Sequence, residues 1–166
     1  TNLSRPSSQN HQSPDQTTNQ EIVVTELYPN LGQLWGVDVL PQGQIIATER
    51  TGKLYLLEPK TQEYQKISNT PSVNSSGQGG LLDVAVSPNF SQNKELYLTF
   101  SSTYKNGATA TKLSKAVLDM DKLRLIERER LFQAELRKSS PKHYGSRVIV
   151  NDEYVFMSIG DRGDKD

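Results

Sequence analysis

A histidine and an aspartate near the C-terminal end of the sequence are the two side chains best suited to move a proton. His143 lies in the stretch KHYGSR at 142–147, and Asp161 lies in GDRGD at 160–164, after an apolar stretch. Histidine can take up a proton near neutral pH and act as a general base. A single histidine is also common as an ordinary surface residue, so this pair alone leaves both interpretations open.

A glycine-rich stretch at 77–80 is a second candidate for ligand binding. Glycines allow tight turns and a close approach of the backbone to a ligand. They leave Gln78 as the one side chain of the stretch, and its amide group has both hydrogen-bond donors and acceptors. The alternative is a glycine-rich connection with an exposed glutamine, and the stretch by itself does not decide between the two.

The charge and composition of the chain exclude several classes of function. The sequence has 19 Lys and Arg residues and 19 Asp and Glu residues, so its formal net charge is zero. The basic residues are scattered, and those between Asp121 and Lys138 alternate with glutamate, so we predict no nucleic-acid partner and no anionic membrane surface. No apolar run approaches the length of a membrane span. The absence of cysteine excludes disulfides and thiolate metal sites.

The first twenty residues differ in composition from the rest of the chain. Ser, Thr, Asn, Gln and Pro dominate residues 1–20, where Leu3 is the one large apolar side chain. Such a stretch cannot bury enough apolar surface to offset the entropy that it would lose on ordering. We therefore predict a disordered tail over 1–20 and a folded part over 21–166. His11 lies in the tail and is excluded as a site residue.

After the tail, the sequence is typical of short strands separated by turns. Apolar and β-branched residues bounded by Pro, Gly and Asn mark each strand. The first predicted strand is 21–28, which ends at Pro29-Asn30. Four further strands, joined by tight turns into one antiparallel sheet, are predicted at 35–40, 44–49, 53–57 and 63–68.

The pattern of this sheet repeats further along the chain. Asp83, in LDV, echoes Asp38, in VDV, at an interval of 45 residues, and a third copy begins 64 residues later at Arg147. The strand predicted at 96–100 echoes the second strand, and 154–159 follows the third copy. Periods of this size with four strands each are typical of β-propeller blades.

A propeller would also bring the two candidate sites together. Equivalent ends of neighbouring blades face the same end of the central channel, where propellers commonly bind ligands. Gln78 and His143 precede the innermost strands of the second and third blades, so we expect them to converge.

The stretch 116–138 fits two structures. Its apolar residues, spaced among charges, suit an amphipathic helix about as well as strands. The repeat favours two outer strands with a turn at 119–122, because outer strands tolerate alternating Glu and Arg on a solvent-facing side.

Six short motifs follow one another along nearly all of the chain after the tail: LWG at 34–36, ATER with GK at 47–53, GQGGLLDV at 77–84, SPNF at 87–90, HYGSR at 143–147 and IGDRGD at 159–164. In combination, these motifs resemble the glucose/sorbosone dehydrogenase family, the soluble quinoprotein aldose sugar dehydrogenases. The resemblance implies an all-β fold. Members are six-bladed β-propellers that use pyrroloquinoline quinone and calcium, so this chain would form about two and a half blades of four-stranded antiparallel sheets.

The resemblance implies a role for each candidate residue. His143 matches the base that takes the proton from the anomeric hydroxyl while the C1 hydride passes to the quinone, which yields a lactone. Asp161 matches the acid that orients that histidine, and Gln78 matches a residue that hydrogen-bonds the sugar. Arg147 lies in the motif, and we interpret it as a structural, ion-pairing side chain.

The resemblance also implies partners and a location. A sugar is the substrate, a separate electron acceptor reoxidises the quinone, and the location is periplasmic or secreted. The ligands of the quinone and of calcium are expected beyond Asp166, so no metal or cofactor ligand is assigned. The chain starts at Thr1 rather than Met and stops after a strand, which indicates a fragment. An upstream lipid anchor is compatible with this, and we predict no transmembrane segment.

Two departures from the family pattern affect specificity and local structure. Lys142 stands where glucose-active members carry an acidic residue, and Ser146 stands where glycine is usual. The first leaves the identity of the aldose open.

Two other functions compete with a sugar dehydrogenase. A non-catalytic propeller would use the same blades as a binding surface, because fold alone does not determine function. A calcium-dependent sugar lactonase would need acidic and Asn ligands at several blades, whereas the corresponding positions here are Gln78 and His143.

Overall fold

The computed structural model describes residues 22–136 and 141–163. The predicted tail over 1–20 therefore lies outside the described residues. Within the described ranges the chain forms ten β-strands and a helix of one turn. The elements are β1 Leu34–Val39, β2 Ile45–Glu49, β3 Lys53–Glu58, β4 Glu63–Ile67, β5 Leu81–Val86, α1 Phe90–Asn93, β6 Glu95–Thr103, β7 Thr109–Asp119, β8 Arg124–Gln133, β9 Gly145–Val150 and β10 Val155–Ile159.

The first sheet contains β1 to β4 in chain order, all antiparallel. Its tight turns contain glycines in the left-handed region, with φ of 89° at Gly43 and 106° at Gly52. Glycine adopts these values without the steric cost that a side chain would add. The four strands predicted from alternation and turn residues are confirmed.

The second sheet contains β5 to β8, again antiparallel and in chain order. In the stretch 116–138, for which helix and strand both remained open, residues 116–119 end β7, 120–123 form a turn and 124–133 form β8. Residues 137–138 lie outside the described residues. The prediction of two outer strands is thus confirmed. The third sheet consists of β9 and β10, an antiparallel pair.

The sheets pack face to face as successive blades, with their first strands innermost. One apolar cluster joins the first two blades, and its fully buried members include Ile46 and Leu54 on one side and Leu96 and Leu98 on the other. Burial of each such side chain contributes about 1.5–3 kcal/mol. A smaller cluster around Leu113 and Val148 joins the second and third sheets. This architecture confirms the all-β propeller prediction.

A hydroxyl on the second strand of each sheet holds the start of that sheet's innermost strand. In each case the hydroxyl oxygen accepts a backbone N–H at a β-bulge, a local irregularity that re-aims the chain. The three bonds run from Gly36 N–H to Thr48 Oγ1 at 2.8 Å, from Asp83 N–H to Thr99 Oγ1 at 3.0 Å, and from Arg147 N–H to Ser158 Oγ at 3.0 Å.

Two of these three hydroxyls also connect one blade to the next. Thr48 Oγ1 donates to the Leu82 carbonyl at 2.9 Å, and Thr99 Oγ1 donates to the Ser146 carbonyl at 2.7 Å. Both acceptors lie on or beside the innermost strand of the following blade. Each hydroxyl therefore fixes two innermost strands relative to each other.

These bonds correct the predicted alignment of the first two blades. Gly36, not Asp38, is equivalent to Asp83, so the repeat between the innermost strands is 47 residues rather than 45. Asp38 has a different partner and accepts the Val86 N–H at 2.7 Å. Matching the two aspartates by residue type caused the error. The predicted equivalence of Asp83 and Arg147 is confirmed.

The prediction of a strand at 21–28 is wrong for residues 22–28, which the structure describes. Residues 22–28 are not in a strand, and Ile22, Val23 and Val24 are between 79% and 90% exposed. A strand is stable only when a neighbouring strand pairs with its backbone groups, and no described strand pairs with this segment. Tyr28 instead packs against the first sheet.

The described residues include no helix with the length and apolar character required to cross a membrane.

Candidate functional site

His143 and Asp161 are in contact at one end of the third sheet. His143 lies just before β9 and Asp161 just after β10, so the hairpin brings the two side chains side by side. His143 Nδ1 lies 2.8 Å from Asp161 Oδ1. The side chains are 49% and 60% exposed, respectively. The pair is therefore open to solvent and to a ligand.

Two hydrogen bonds hold the Asp161 carboxylate in its ionised form. The Gly163 N–H donates to Oδ1 at 2.8 Å, and the same oxygen faces His143. The Gly163 N–H is the main cause, and His143 the next, of a pKa of Asp161 below the ordinary value. A carboxylate at this position favours the tautomer of His143 that donates Nδ1–H, which leaves the lone pair on Nε2.

The backbone at His143 adopts an unusual conformation. Its φ is 51°, in the left-handed region that few residues other than glycine and asparagine adopt. Gly160 lies against it so closely that a Cβ at position 160 would be 2.1 Å from the His143 carbonyl oxygen. The absence of a side chain at Gly160 thus allows the two ends of the hairpin to approach each other.

Gln78 contacts His143 through the backbone. Gln78 Oε1 accepts the His143 N–H at 2.8 Å, and the Gln78 N–H donates to the Pro141 carbonyl at 2.9 Å. Gly77 packs against Pro141 at a distance that excludes a Cβ. The expected convergence of the two loops is therefore present. Oε1 of Gln78 is occupied by the His143 N–H. The side-chain N–H groups of Gln78 remain to donate to a ligand.

Arg162 packs against the loop at 141–146, which carries His143. The sequence analysis did not predict this role. Its guanidinium is buried, donates to the Lys142 carbonyl at 3.0 Å and to Thr109 Oγ1 at 2.6 Å, and lies 3.8 Å from the centre of the Tyr144 ring. Charged donors to carbonyls and aromatic faces give strong, directional contacts. The position of Arg162 directly after Asp161 could have drawn attention to it. Its contacts, however, depend on the tertiary structure and cannot be predicted from the spacing of residues in the sequence.

Arg147 has the structural contact that was expected of it. Its guanidinium Nη1 lies 3.2 Å from the Asp83 carboxylate, and that buried carboxylate also accepts the Val148 N–H at 2.9 Å. The pair joins the innermost strands of the second and third blades.

A groove of about 180 Å³ opens beside the histidine loop. It lies where the innermost strands of three blades approach each other, next to the Arg147 and Asp83 pair. Its lining residues are Trp35, Leu82, Asp83, Gly145, Ser146, Arg147 and Ser158.

This arrangement provides a proton acceptor with fixed orientation. The imidazole has one nitrogen directed to a carboxylate and the other available on the opposite edge of the ring, with a hydrogen-bond donor, Gln78, at the same end. Such a set is suited to removing a proton from a polar, uncharged ligand.

Residues 31–166 match the family model described as Glucose / Sorbosone dehydrogenase. Three relatives are similar over most of this chain. An uncharacterized protein of Synechocystis is 32% identical over 157 residues, covering 89% of this chain and 37% of its own length. Aldose sugar dehydrogenase YliI of Escherichia coli is 26% identical, covering 90% and 40%. Quinoprotein glucose dehydrogenase B of Acinetobacter calcoaceticus is 28% identical, covering 87% and 31%. The chain thus spans between 31% and 40% of the length of these relatives.

Solved structures show the same fold. A glucose dehydrogenase structure superimposes with a TM-score of 0.80 at 28% identity, covering 86% of this chain and 42% of that one. The PQQ-bound aldose sugar dehydrogenase of Streptomyces coelicolor gives a TM-score of 0.75 at 23% identity, covering 86% and 42%.

Proposed function

The chain belongs to the glucose/sorbosone dehydrogenase family, and from this premise we propose that the whole protein oxidises the C1 hydroxyl of an aldose to the lactone. The hydride acceptor in this proposal is pyrroloquinoline quinone, which supplies two-electron chemistry that side chains lack. Relatives named as aldose sugar dehydrogenase and quinoprotein glucose dehydrogenase support the proposal.

One observation carries the assignment of a base. His143 Nδ1 lies 2.8 Å from the Asp161 carboxylate, and the histidine side chain is half exposed at the end of the sheet where Gln78 also lies. A histidine that is oriented by an acid and open to a ligand has the geometry that general-base catalysis requires.

In the proposed mechanism, His143 Nε2 accepts the proton of the C1 hydroxyl. Asp161 keeps the proton on Nδ1 and stabilises the imidazolium that forms, because a nearby carboxylate favours the charged ring. The side-chain N–H groups of Gln78 donate to a sugar oxygen and hold C1 near His143. Removal of the hydroxyl proton raises the electron density at C1 and so favours loss of the hydride.

The described residues include groups that could bind the sugar, but they do not fit the carboxylates of the quinone. The quinone has carboxylates that require cations, and the guanidinium groups of Arg147 and Arg162 are already bound to protein groups. Within 22–136 and 141–163, no group of three or more His, Asp or Glu could hold calcium. We therefore propose that the ligands of the quinone and of calcium lie outside the described residues.

The proposal extends to partners and location. A separate electron acceptor would reoxidise the quinone, and a periplasmic or secreted location would place the enzyme where external aldoses are accessible. The absence of cysteine is compatible with such a location.

Stopped-flow reduction of the bound quinone by an aldose tests the assignment in a full-length protein that carries this chain. His143→Gln should slow this step by about 10² to 10⁴, the usual range for loss of a general base, while quinone binding remains. His11→Gln is the matched control, because it changes the chain's other histidine. A His143→Gln protein that reduces the quinone at the unmodified rate would contradict the assignment of His143 as the base and favour a non-catalytic role for this histidine.

A further inference from the structure

Arg50 directly follows β2 and contacts the loop that carries Gln78. Its guanidinium Nη1 lies 2.6 Å from the Ser75 carbonyl, 2.9 Å from the Gly77 carbonyl and 3.3 Å from the Gly79 carbonyl. Its Nε donates to Gln33 Oε1 at 3.1 Å, which fixes the plane of the guanidinium. A single cation therefore lies within hydrogen-bond distance of three carbonyl oxygens of the loop at 75–80.

The backbone of Arg50 holds the other end of the same loop. The Arg50 carbonyl accepts the Leu81 N–H at 3.1 Å. Gly80, with φ of 143°, lies so close that a Cβ would be 2.0 Å from the Arg50 carbonyl oxygen. The loop at 75–80 thus wraps around Arg50 and contacts both its guanidinium and its backbone.

The loop in turn holds His143. Within it, the Gln78 N–H donates to the Pro141 carbonyl and Gln78 Oε1 accepts the His143 N–H, at 2.9 and 2.8 Å. A continuous series of contacts therefore runs from Arg50 in the first blade, through the loop, to the backbone of His143 before the third blade.

The chemistry of the loop explains why it needs such a support. It contains three glycines, and glycine has more conformations to lose than any other residue. Arginine is suited to the task because its planar guanidinium presents several donors in a fixed geometry, whereas lysine presents one compact ammonium. Ser101 holds the two ends of the same loop, since its Oγ accepts the Gly80 N–H at 2.8 Å and donates to the Asn74 carbonyl at 2.6 Å, whereas Arg50 contacts the middle of the loop next to Gln78.

We propose that Arg50 is a positioning residue of the active site, acting through the loop at 75–80 and through Gln78 on the orientation of His143. The catalytic consequence rests on the proposed function, whereas the structural coupling between Arg50 and His143 does not. The ATER motif at 47–50 thus contributes to the site although none of its residues contacts His143 or Asp161.

Arg50→Met removes the donors and keeps an unbranched apolar stem. In the full-length enzyme it should lower the rate of quinone reduction by an aldose by up to about tenfold, no more than Gln78→Ala does, because a residue that acts through Gln78 cannot contribute more than Gln78 itself. Arg50→Lys should restore part of the loss. The contacts lie at or near the surface, where water can solvate the freed carbonyls, so both variants should fold. Arg124→Met is the matched control, since Arg124 pairs with Asp119 on the outer strands at 3.5 Å.

A double-mutant cycle separates positioning from general stability. If Arg50 acts through Gln78, the double variant Arg50→Met, Gln78→Ala should be no slower than Gln78→Ala alone, because coupled residues are not additive. If the two effects on the rate multiply, Arg50 does not act through Gln78 and the proposal is overturned.

Nuclear magnetic resonance gives a readout that does not depend on activity. In the full-length protein with isotope-labelled histidine, the ring and backbone amide signals of His143 are those that disappear in His143→Gln. Arg50→Met should shift these signals and should speed solvent exchange of the His143 amide by about fivefold or more, as expected for loss of one hydrogen bond. Shifted signals in a protein that oxidises no aldose would leave the coupling standing and refute the proposed function. Unmoved signals, with the control variant also unmoved, would overturn the positioning role.

Discussion

The loop at 75–80 and the loop at 141–146 meet at one end of the structure, but they are supported differently. The first leads into β5, which is buried between two blades, and its carbonyls surround Arg50. The second leads into β9, where alternate side chains are exposed, and its histidine is half exposed. We call the loop at 75–80 the enclosed loop because its carbonyls and β5 pack against other groups, although the Gln78 side chain is exposed. This loop supplies a fixed acceptor for the His143 N–H, and the loop at 141–146, the open loop, presents the side chain that can react.

This difference shows how access and orientation are divided between the two loops. A base must be open to its substrate, and an open side chain on a flexible loop would lose its orientation. Here Gln78 on the enclosed loop fixes the His143 backbone, while Asp161 fixes the ring. Each of the following changes removes one part of this arrangement.

The largest of these effects is expected from the acid. Asp161→Asn should slow quinone reduction by about 10- to 100-fold, less than His143→Gln, because asparagine keeps the shape but cannot stabilise an imidazolium. The measurement is the single-turnover rate with a saturating aldose. Asp152→Asn, in the exposed turn between β9 and β10, is the control. Equal rates for the two variants would show that the open loop orients its histidine unaided.

Two substitutions at Gln78 separate its contact with His143 from its contact with the sugar. Gln78→Glu keeps an oxygen that can accept the His143 N–H but lacks N–H donors, so KM should rise while kcat changes little. Gln78→Ala loses both functions, so kcat should also fall, by about tenfold. Steady-state kinetics with a series of aldoses distinguishes the two. Identical kcat values would mean that the enclosed loop serves the sugar alone.

A smaller effect, on stability, is expected where the open loop departs from the family pattern. Ser146 is buried with φ of 90°, a value that disfavours any side chain. Ser146→Gly should therefore raise the free energy of unfolding by about 0.5–1 kcal/mol. Urea denaturation measures this, with Ser72→Gly as a control at a position without positive φ. A loss of stability in Ser146→Gly would show that the Ser146 hydroxyl, 3.4 Å from the Tyr144 carbonyl, outweighs the strain.

The smallest effect concerns the titration of Asp161. The Gly163 N–H, and after it His143, lower its pKa, so the carboxylate favours the folded state at pH values above its unfolded pKa. This contribution is lost as pH falls through the folded pKa. Replacing His143 by Gln should raise the pKa of Asp161 only in part, because the Gly163 N–H remains. Carbon-detected titration of the carboxyl group measures the shift, and a full return to the ordinary value would assign the effect to His143 alone.

The strands were predictable because local signals agree with the tertiary structure. In β1 to β4, alternation and turn glycines such as Gly43 and Gly52 mark both ends of each strand. The strand prediction for 22–28 was wrong because it was based on apolar residues alone. A strand also needs a neighbouring strand to pair with its backbone. The repeat was misaligned because Asp38 and Asp83 share a residue type but not a position in the blade, and the bonds of Gly36 and Asp83 to Thr48 and Thr99 appear only in the folded chain.

The candidate site was predictable in its members but not in its connections. The motifs indicated His143, Asp161 and Gln78, and the structure brings them together. The contacts of Arg50 and Arg162 were missed because both residues bind backbone carbonyls, which every residue has. Bonds to carbonyls have no sequence pattern, so they follow only from the folded chain.

Four side-chain bonds near the innermost strands run in one direction along the chain. Thr48, Asp38, Thr99 and Asp83 each belong to an earlier blade and bind the backbone of a later one. A chain that leaves the ribosome N-terminus first therefore has its side-chain partners ready before the strands that they will hold have been synthesised. Removing a later blade would leave side chains without partners, and these can form hydrogen bonds with water instead. Removing an earlier blade would leave buried backbone groups without hydrogen bonds, which costs about 1–3 kcal/mol of stability for each group. Deletions from the N-terminal side should thus be tolerated less well than deletions from the C-terminal side.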